Sequence, residues 1–378
     1  MNTDNLSALA VGIGVVVLIA GFGVYFNSPA LNKAASDQQE NFVPAATMQN
    51  GTTGIDKSQF KLAPELAQIS GYINTDPITL ADLKGKVVLV DFWTYSCINC
   101  IRTIPYLNAW YQKYADDGLV IVGVHTPEFE FEKDYNNVKA AVEKFEIKYP
   151  VVQDNDKATW KAYENRYWPR KYLIDNEGYI RYDHIGEGAY ADTEKVIQSL
   201  LSERAVFMGG NLSFDRSISN PENAQSVNFR QIGTPELYFG YQFARAKLGN
   251  PEGFHPDQVV TYTIPNDTAI TPSRIYLEGQ WKNRPDSMEL QGQAGRIVLS
   301  YSAKVVNIVA GGTGKLYISE DGENLTAGSR GTDVSEGAEV AIDGQRLYNL
   351  VTHDGYGNHR LVIDVVGQGF QIYTFTFG

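Results

Sequence analysis

The sequence predicts an α/β domain followed by an all-β antiparallel sandwich of jelly-roll-like type, preceded by a single N-terminal transmembrane helix. The helix is predicted because residues 6–26 form an apolar run without charge. The α/β domain is predicted over residues 59–205, where strand and helix patterns alternate as in a sheet with crossover helices. The sandwich is predicted over residues 231–378, where helical periodicity disappears and short alternating strands replace it.

The N-terminal segments predict a protein held at a membrane. An apolar run of this length can span a bilayer as a helix, which needs roughly 17–25 residues. We expect an uncleaved anchor rather than a cleaved signal peptide, because residues 1–5 form a short tail without Lys or Arg and the apolar run is too long. Residues 27–58 are polar and lack periodicity, which predicts a flexible tether.

The α/β domain is predicted to be built from seven elements in order. A buried strand at Val87–Trp93 is followed by helically spaced apolar residues over 101–114, with Pro105 inside the helix. The later elements are a buried strand, an amphipathic helix, a short strand, a hairpin and a closing helix, at residues 119–125, 138–145, 150–153, 171–182 and 196–201.

A polar linker rich in Asn and Ser is predicted at residues 206–230. In the sandwich that follows, β-branched and aromatic residues alternate with polar ones, and Asp-Gly pairs between the runs predict tight turns. The predicted strands lie at residues 274–278, 296–301, 305–309, 315–319, 339–342, 361–366 and 370–377.

The composition limits the possible partners. The chain has 32 Lys and Arg against 44 Asp and Glu, and this net charge of −12 leaves no basic stripe to neutralise phosphates. We therefore expect no nucleic-acid partner. Apolar residues make up 43% of the 378 residues, which is enough to build the cores of two domains.

The two cysteines of the chain, Cys97 and Cys100, stand where the first buried strand passes into a helix. A Cys-x-x-Cys at such a junction is typical of a dithiol that opens and closes, and its loop is too short to constrain the unfolded chain. The alternatives are packing residues or half of a zinc site. Zinc needs further ligands, and no second Cys-x-x-Cys or His-x-x-His exists, so we predict no metal site.

The position of each cysteine predicts its role. Unpaired N–H groups and partial positive charge at a helix N-terminus favour a thiolate, so Cys97 is the expected exposed nucleophile. Cys100, one turn into the helix, is the expected buried resolving thiol. The intervening Ile98 and Asn99 supply neither a proline nor a cation, which favours a reductant over a strong oxidant. No cofactor is expected beyond the redox-active Cys97–Cys100 disulfide.

Several separated segments carry a resemblance to a known family. Residues 91–100, with Pro105 five positions later, resemble the active-site segment of the thioredoxin superfamily, and Arg166–Pro169 before strand 171–175 resembles its cis-proline loop. The runs 73–86, 92–97 and 125–129 are similar to the extracytoplasmic half of DipZ-type proteins. In that family a thioredoxin-like domain precedes a β-sandwich related to carbohydrate-binding modules, and residues 234–241 resemble the start of the second domain.

The resemblance implies roles for three further residues. Asp91 matches the buried acid that shuttles a proton for the resolving cysteine, and burial under apolar strands predicts a raised pKa for it. The alternative is a strand-end aspartate paired with Lys86 or Lys113. Pro169 is implied to lie opposite Cys97, which leaves the backbone of Trp168 free to pair with an extended substrate.

Two aromatic residues and one serine complete the expected site. Trp93 is expected to pack beneath the dithiol, and the ring of Trp168 is expected to face the substrate. Ser96 stands before Cys97 where thioredoxins proper have Trp, so their substrate surface is not reproduced. DipZ-type proteins typically begin with a multi-helix membrane domain, whereas this chain has one apolar segment. The implied electron donor is therefore a separate integral-membrane thiol protein.

The sequence thus predicts a membrane-anchored extracytoplasmic thiol–disulfide oxidoreductase that reduces protein disulfides. One alternative is a thiol peroxidase, for which Thr94 fits the usual pattern around the reactive cysteine but Val90 does not. The other is a glycan-binding surface protein, whose sugar would stack on a platform of aromatic side chains in the sandwich. The candidate platform residues are Tyr238, Tyr241, Trp281 and Tyr356.

Four polar residues give weaker signals. His125 and Glu128 follow a strand end and are interpreted as polar loop residues, although their loop could approach the dithiol. His353 and His359 are interpreted as parts of a Gly-rich turn, because two histidines six apart on a loop do not define a metal site.

Overall fold

The computed structural model describes residues 56–210, 213–265 and 270–378. The predicted tail and anchor at residues 1–26 and nearly all of the predicted tether lie outside the described residues. Within the described ranges, no helix combines the length and the apolar character needed to cross a membrane.

The first domain is built on a six-stranded mixed sheet. The strands are β1 Gly71–Ile73, β2 Val87–Trp93, β3 Leu119–His125, β4 Val151–Gln153, β5 Arg170–Ile174 and β6 Ile180–Ile185. They lie in the order β1-β4-β3-β2-β5-β6, with β2, β3 and β4 mutually parallel and the others antiparallel to their neighbours.

Helices cover both faces of this sheet, because successive side chains of β2 point to opposite faces and both sets are largely apolar. Leu89 and Trp93 enter one core, whereas Val88 and Phe92 enter a second core on the other face. Every residue of β2 is buried, as expected for a central strand covered on both sides. The helices are α1 Ile98–Tyr114, α2 Tyr135–Lys144, α3 Ala158–Ala162 and α4 Tyr190–Phe207. The predicted thioredoxin-like α/β fold is confirmed.

The segment that joins the domains packs along the first domain. The Phe214 ring meets the Tyr114 ring edge-on with centroids 5.9 Å apart. The backbone N–H of Ser219 donates to a Glu194 carboxylate oxygen at 2.7 Å. These contacts fix part of the predicted linker against α1 and α4.

The second domain is all-β, as predicted. The strands are β7 Leu237–Tyr238, β8 Val259–Tyr262, β9 Ile275–Asn283, β10 Met288–Leu290, β11 Ala294–Gly311, β12 Gly314–Glu320, β13 Glu323–Asn324, β14 Glu339–Ile342, β15 Arg346–Val366 and β16 Gln371–Phe377. They form one hydrogen-bonded network in the order β13-β12-β15-β11-β16-β10-β9-β8, with β14 paired to β12 and β7 paired to β16. Strand β9 also pairs with β11, so the network folds back on itself around a core.

Two strand predictions in this domain are wrong in extent. The runs at 296–301 and 305–309 are halves of the single strand β11, whose register shifts at Lys304. The run at 361–366 is only the end of β15, which begins at Arg346. The Gly-rich turn predicted around His353 and His359 therefore lies inside a long irregular strand. A bulge keeps the strand hydrogen-bonded where its composition suggests a turn.

The predicted aromatic platform is not formed. Trp281 is fully buried and Tyr238 is 7% exposed, so both belong to the packed interior rather than to a surface that a sugar could reach. The jelly-roll connectivity of the domain stays a prediction.

Candidate active site

The dithiol lies at the N-terminus of α1. Cys97 is the N-cap residue of the helix, and its Sγ accepts a hydrogen bond from the Cys100 backbone N–H at 3.3 Å. Cys97 is partly exposed, whereas Cys100 is 1% exposed, and the two are free thiols. The structure therefore places the outer sulfur within reach of a substrate and shields the inner one.

Burial also determines the acidity of the inner thiol, Cys100. Loss of solvent and the neighbouring Cys97 sulfur raise the pKa of the Cys100 thiol well above its ordinary value. A thiol of this kind stays protonated at neutral pH until a base removes its proton. The resolving step therefore needs a proton acceptor close by.

Asp91 is a buried carboxylate in the strand that leads to the dithiol. It shares the α1-facing side of β2 with Leu89 and Trp93 and is 1% exposed, with Oδ1 lacking a partner among the described residues. Burial raises the pKa of Asp91 to about 7, and the positive charge of Lys171 opposes that shift. A carboxyl with this pKa can both accept and return a proton near neutrality.

Lys171 was not foreseen from the sequence. It lies directly opposite Asp91 in the antiparallel pair of β2 and β5, is fully buried, and donates through Nζ to the Gly186 carbonyl at 3.0 Å. Burial lowers the pKa of Lys171, while the charges of Asp91 and Cys100 oppose this. The predicted alternative partner, Lys113, instead forms an ion pair with Glu194 at 3.3 Å.

Packed aromatic rings lie in the same hydrophobic core as the dithiol. Trp93 is 1% exposed and meets the His125 ring edge-on at 5.2 Å, while Tyr95 stacks on the same imidazole at 5.7 Å. His125 ends β3 and is fully buried, and burial lowers its pKa to about 3. The interpretation of His125 as a polar loop residue is therefore wrong; it is a neutral imidazole within the core.

A second unforeseen residue, Glu132, ties a loop to the dithiol segment. Its carboxylate accepts hydrogen bonds from Ser96 Oγ and from the backbone N–H groups of Glu128 and Phe129. Glu132 is fully buried, and burial raises its pKa against these hydrogen bonds. Ser96 is thus turned inward and is 1% exposed, so it anchors the loop instead of offering a surface to substrate.

Trp168 and Pro169 lie just before β5, at the same end of the central strands as the dithiol. Pro169 precedes Arg170, which pairs with Phe92 near the end of β2, and the Trp168–Pro169 peptide bond is cis. Trp168 Nε1 donates to the Thr126 carbonyl at 2.9 Å. Among the described residues, no hydrogen bond engages the backbone N–H or carbonyl of Trp168.

The second domain covers one side of this site. Tyr373 contacts the rings of Phe129 and Phe131 with centroids 5.1 and 4.7 Å away, and Tyr238 donates to Glu128 at 2.8 Å. The Tyr95 hydroxyl donates to the Gln345 carbonyl at 3.3 Å. Tyr238 and Tyr373 belong to the same hydrophobic core as Trp93 and Cys100, so this core is continuous between the domains.

The structure thus brings together five of the seven predicted site residues in one core region, namely Asp91, Trp93, Ser96, Cys97 and Cys100. Trp168 and Pro169 lie directly before β5, the strand that pairs with β2. Lys171 could have been found from strand pairing, because residues directly opposite each other in antiparallel strands share a face of the sheet, and Lys171 lies opposite Asp91. Glu132 gave no such signal, since a glutamate in an acidic loop ordinarily points to solvent.

Two family models match the chain. Residues 60–183 match the model described as the AhpC/TSA family, and residues 234–378 match the model described as the thioredoxin like C-terminal domain. The division between these matches agrees with the two domains of the structure.

Curated relatives match one domain or both. Protein DipZ of Mycobacterium tuberculosis (strain CDC 1551 / Oshkosh) is 37% identical over 319 residues, which is 84% of this chain and 43% of DipZ. The chain thus spans less than half the length of that relative. The thiol-disulfide oxidoreductase YkuV of Bacillus subtilis (strain 168) is 33% identical over 37% of this chain and 94% of its own length. A solution structure of a thioredoxin-like protein in the oxidized form is 32% identical, covers 38% of this chain and 97% of its own, and has a TM-score of 0.36.

The identity to YkuV extends over nearly the whole of that relative, and the identity to DipZ extends through both domains of this chain. The chain therefore belongs to the thioredoxin-like thiol-disulfide oxidoreductases and is a DipZ-type member of that family.

Proposed function

We propose that the chain is a membrane-anchored extracytoplasmic enzyme that reduces protein disulfides with Cys97 and Cys100. The observation that carries the proposal is the pairing of a partly exposed N-cap thiol with a buried thiol, above the Asp91–Lys171 pair. This arrangement separates a nucleophile from a resolving group and supplies the resolving group with a base.

The reaction consists of two exchanges. The Cys97 thiolate attacks one sulfur of the substrate disulfide, forming a mixed disulfide and releasing the other substrate sulfur as a thiolate. Asp91 takes the proton of Cys100, whose thiolate then attacks Cys97 Sγ and releases the second substrate thiolate. Two electrons pass to the substrate, and Cys97 and Cys100 end as a disulfide.

The surroundings of Cys97 favour the reducing direction. The nearest buried cation on α1, Arg102, is held by Glu187 at 2.6 Å and by the Asn99 side-chain oxygen at 2.7 Å. Its charge is therefore matched and adds little to the stability of a Cys97 thiolate. A strong oxidant requires a strongly stabilised reduced form, and these contacts do not supply one.

The Trp168 backbone supports a mode of substrate binding. An extended peptide beside the dithiol can pair with its free N–H and carbonyl groups, as in the addition of a strand to a sheet edge. The second domain, through Gln345 and Tyr373, would form a wall beside the bound peptide. The substrate class that follows is an exposed, extended segment containing a disulfide.

The membrane anchor and the electron donor belong to the same proposal. The apolar run at 6–26 supports an anchor, and an enzyme that reduces disulfides outside the cytoplasm must be returned to its dithiol form. A thiol donor embedded in the membrane fulfils that need.

Reduction of insulin disulfides by the purified protein tests the activity. We expect catalysis by the wild type and none by Cys97→Ser, with a dithiol potential nearer about −270 mV than about −120 mV. Full activity of Cys97→Ser would contradict the proposal, and an oxidising potential would reverse only its direction. Consumption of hydrogen peroxide in the absence of disulfide reduction would favour the peroxidase alternative.

A further inference from the structure

A cluster of metal-binding side chains lies in the second domain and involves none of the active-site residues. Glu320 ends β12, and His353 and His359 both lie on β15. One candidate ligand atom from each of the three residues lies within 4.8 Å of the others. Such a cluster of two imidazoles and a carboxylate is a common donor set for Zn²⁺ and related ions.

An irregularity of β15 brings the two histidines together. Thr352 lies opposite Val305, but the next pair is Gly357 opposite Ala303, so residues 353–356 have a single counterpart on β11. The imidazole rings of His353 and His359 consequently lie 4.4 Å apart and are nearly parallel, at 18°. Bulges of this kind are frequent beside functional sites, where they redirect a side chain.

Gly357 leaves space for the imidazole ring of His359. A Cβ at Gly357 would lie 2.5 Å from His359 Nε2, so only glycine allows the ring this position. The other nitrogen, Nδ1, faces the acidic residues, 4.0 Å from Glu320 Oε2 and 2.9 Å from Asp321 Oδ2.

The carboxylate of Glu320 is fixed before any ion arrives. Its side chain is 7% exposed, and its Oε1 accepts a hydrogen bond from Tyr301. Outer partners of this kind orient metal ligands in known sites. The other oxygen, Oε2, lies 2.9 Å from His353 Nε2, yet that nitrogen makes no hydrogen bond of proper geometry within the described residues.

We propose that Glu320, His353 and His359 bind a divalent transition-metal ion of the Zn²⁺ class. Tetrahedral ligands about 2.0–2.2 Å from zinc are separated from one another by roughly 3.3–3.5 Å. The observed separations of 2.9 and 4.0 Å bracket that range, so small side-chain movements complete the site. Asp321 stands at His359 as the candidate fourth ligand. The bound ion would join the end of β12 to the bulged part of β15.

Zinc uptake by the full chain tests the proposal. The protein is first oxidised to its Cys97–Cys100 disulfide, which removes the dithiol as a competing zinc ligand. Equilibrium dialysis with ZnCl₂ and elemental analysis should find one Zn²⁺ per chain. His353→Ala and Glu320→Gln should each weaken Zn²⁺ binding by about 100-fold or more, and Asp321→Asn by about tenfold.

Matched controls keep the result interpretable. His255 is exposed and its imidazole hydrogen-bonds to the Glu252 carbonyl, away from the cluster, so His255→Ala should bind zinc as the wild type does. Circular dichroism checks that each variant is folded, and Co²⁺ should give visible absorption bands that His359→Ala loses. Absence of stoichiometric zinc in the oxidised wild type, or unchanged binding by folded Glu320→Gln, would overturn the proposal.

Discussion

At the scale of single residues, the site depends on what burial does to two acids. Cys100 and Asp91 are both shielded from water, so the pKa of each is raised. Lys171 across the strand pair limits this shift for Asp91. The pKa of Asp91 thus depends on a balance between desolvation and one buried cation.

The cysteine variants should differ in kind. Cys100→Ser should accumulate a mixed disulfide on Cys97, because attack proceeds but resolution cannot follow. Cys97→Ser should form none, since its remaining thiol is buried. Non-reducing gels of each variant with a disulfide-containing protein separate these outcomes. Equal amounts of mixed disulfide in both variants would contradict the assignment of Cys97 as the nucleophile.

The resolving step should follow the ionisation of Asp91. In the proposed mechanism its carboxylate accepts the proton of Cys100, and with a pKa of about 7 the ionised fraction of Asp91 increases between pH 6 and 8. The wild-type rate should therefore rise about tenfold over that range, whereas Asp91→Asn should be slower by about 100-fold at pH 7 and lack this inflection. Rapid-mixing measurements of single turnovers test this, and an unchanged profile in Asp91→Asn would refute the role.

The ionisation of Asp91 should also make the free energy of unfolding depend on pH. A carboxyl whose pKa rises from 3.8 to about 7 on folding binds more protons in the native state over that window, so stability falls as pH increases through it. The loss is on the order of 4 kcal/mol at most above pH 7. Urea unfolding from pH 4 to 8 should show a component of this sign that Asp91→Asn lacks.

Lys171 should act through Asp91. Lys171→Met removes the charge that opposes the raised pKa of Asp91, so the inflection in the rate should move to higher pH by about one unit or more. The exposed Lys195, which pairs with Asp192, provides the control Lys195→Met. A profile that stays at the wild-type position would leave Lys171 with a packing role only.

At the scale of elements, the loop between β3 and α2 holds the dithiol segment against the second domain. Glu132 bonds to Ser96 on one side, while Phe129 and Phe131 contact Tyr373 on the other. One buried carboxylate therefore fixes both the start of α1 and the covering domain.

Truncating that carboxylate should destabilise the protein. Glu132→Ala leaves the Ser96 hydroxyl and two backbone N–H groups without their acceptor, at a cost of about 2–4 kcal/mol. Glu130→Ala removes an exposed partner of Lys133 and should change stability by less than about 0.5 kcal/mol. Chemical denaturation compares the two, and equal effects would contradict the role of Glu132.

At the scale of the whole molecule, one hydrophobic core runs from the first domain into the second. Tyr373→Ala should loosen this junction and cost about 3 kcal/mol or more, so that the domains unfold in separate transitions. Tyr317 is 40% exposed on β12, and Tyr317→Ala should leave a single transition intact. Calorimetry distinguishes the two, and a single unchanged transition in Tyr373→Ala would mean that the domains are not coupled there.

Sequence patterns predicted the main elements of the first domain well because its central strands are buried on both faces and form nearly continuous apolar runs, such as 87–93 and 119–125. They failed for β15, because the Gly-rich stretch around His353 has the composition of a turn. The β-bulge that keeps this stretch inside the strand has no sequence signal of its own. They also missed Glu132 and the contact of Tyr373, since both depend on which surfaces meet after folding.

The most direct test of the account is the mass of the species formed with a disulfide-containing peptide. Intact-mass spectrometry of Cys100→Ser should show the added mass of one peptide chain, bound to Cys97 by a mixed disulfide, while Cys97→Ser should show no added mass. A peptide adduct on Cys100 in Cys97→Ser, or no adduct in either variant, would contradict a reaction that begins at Cys97.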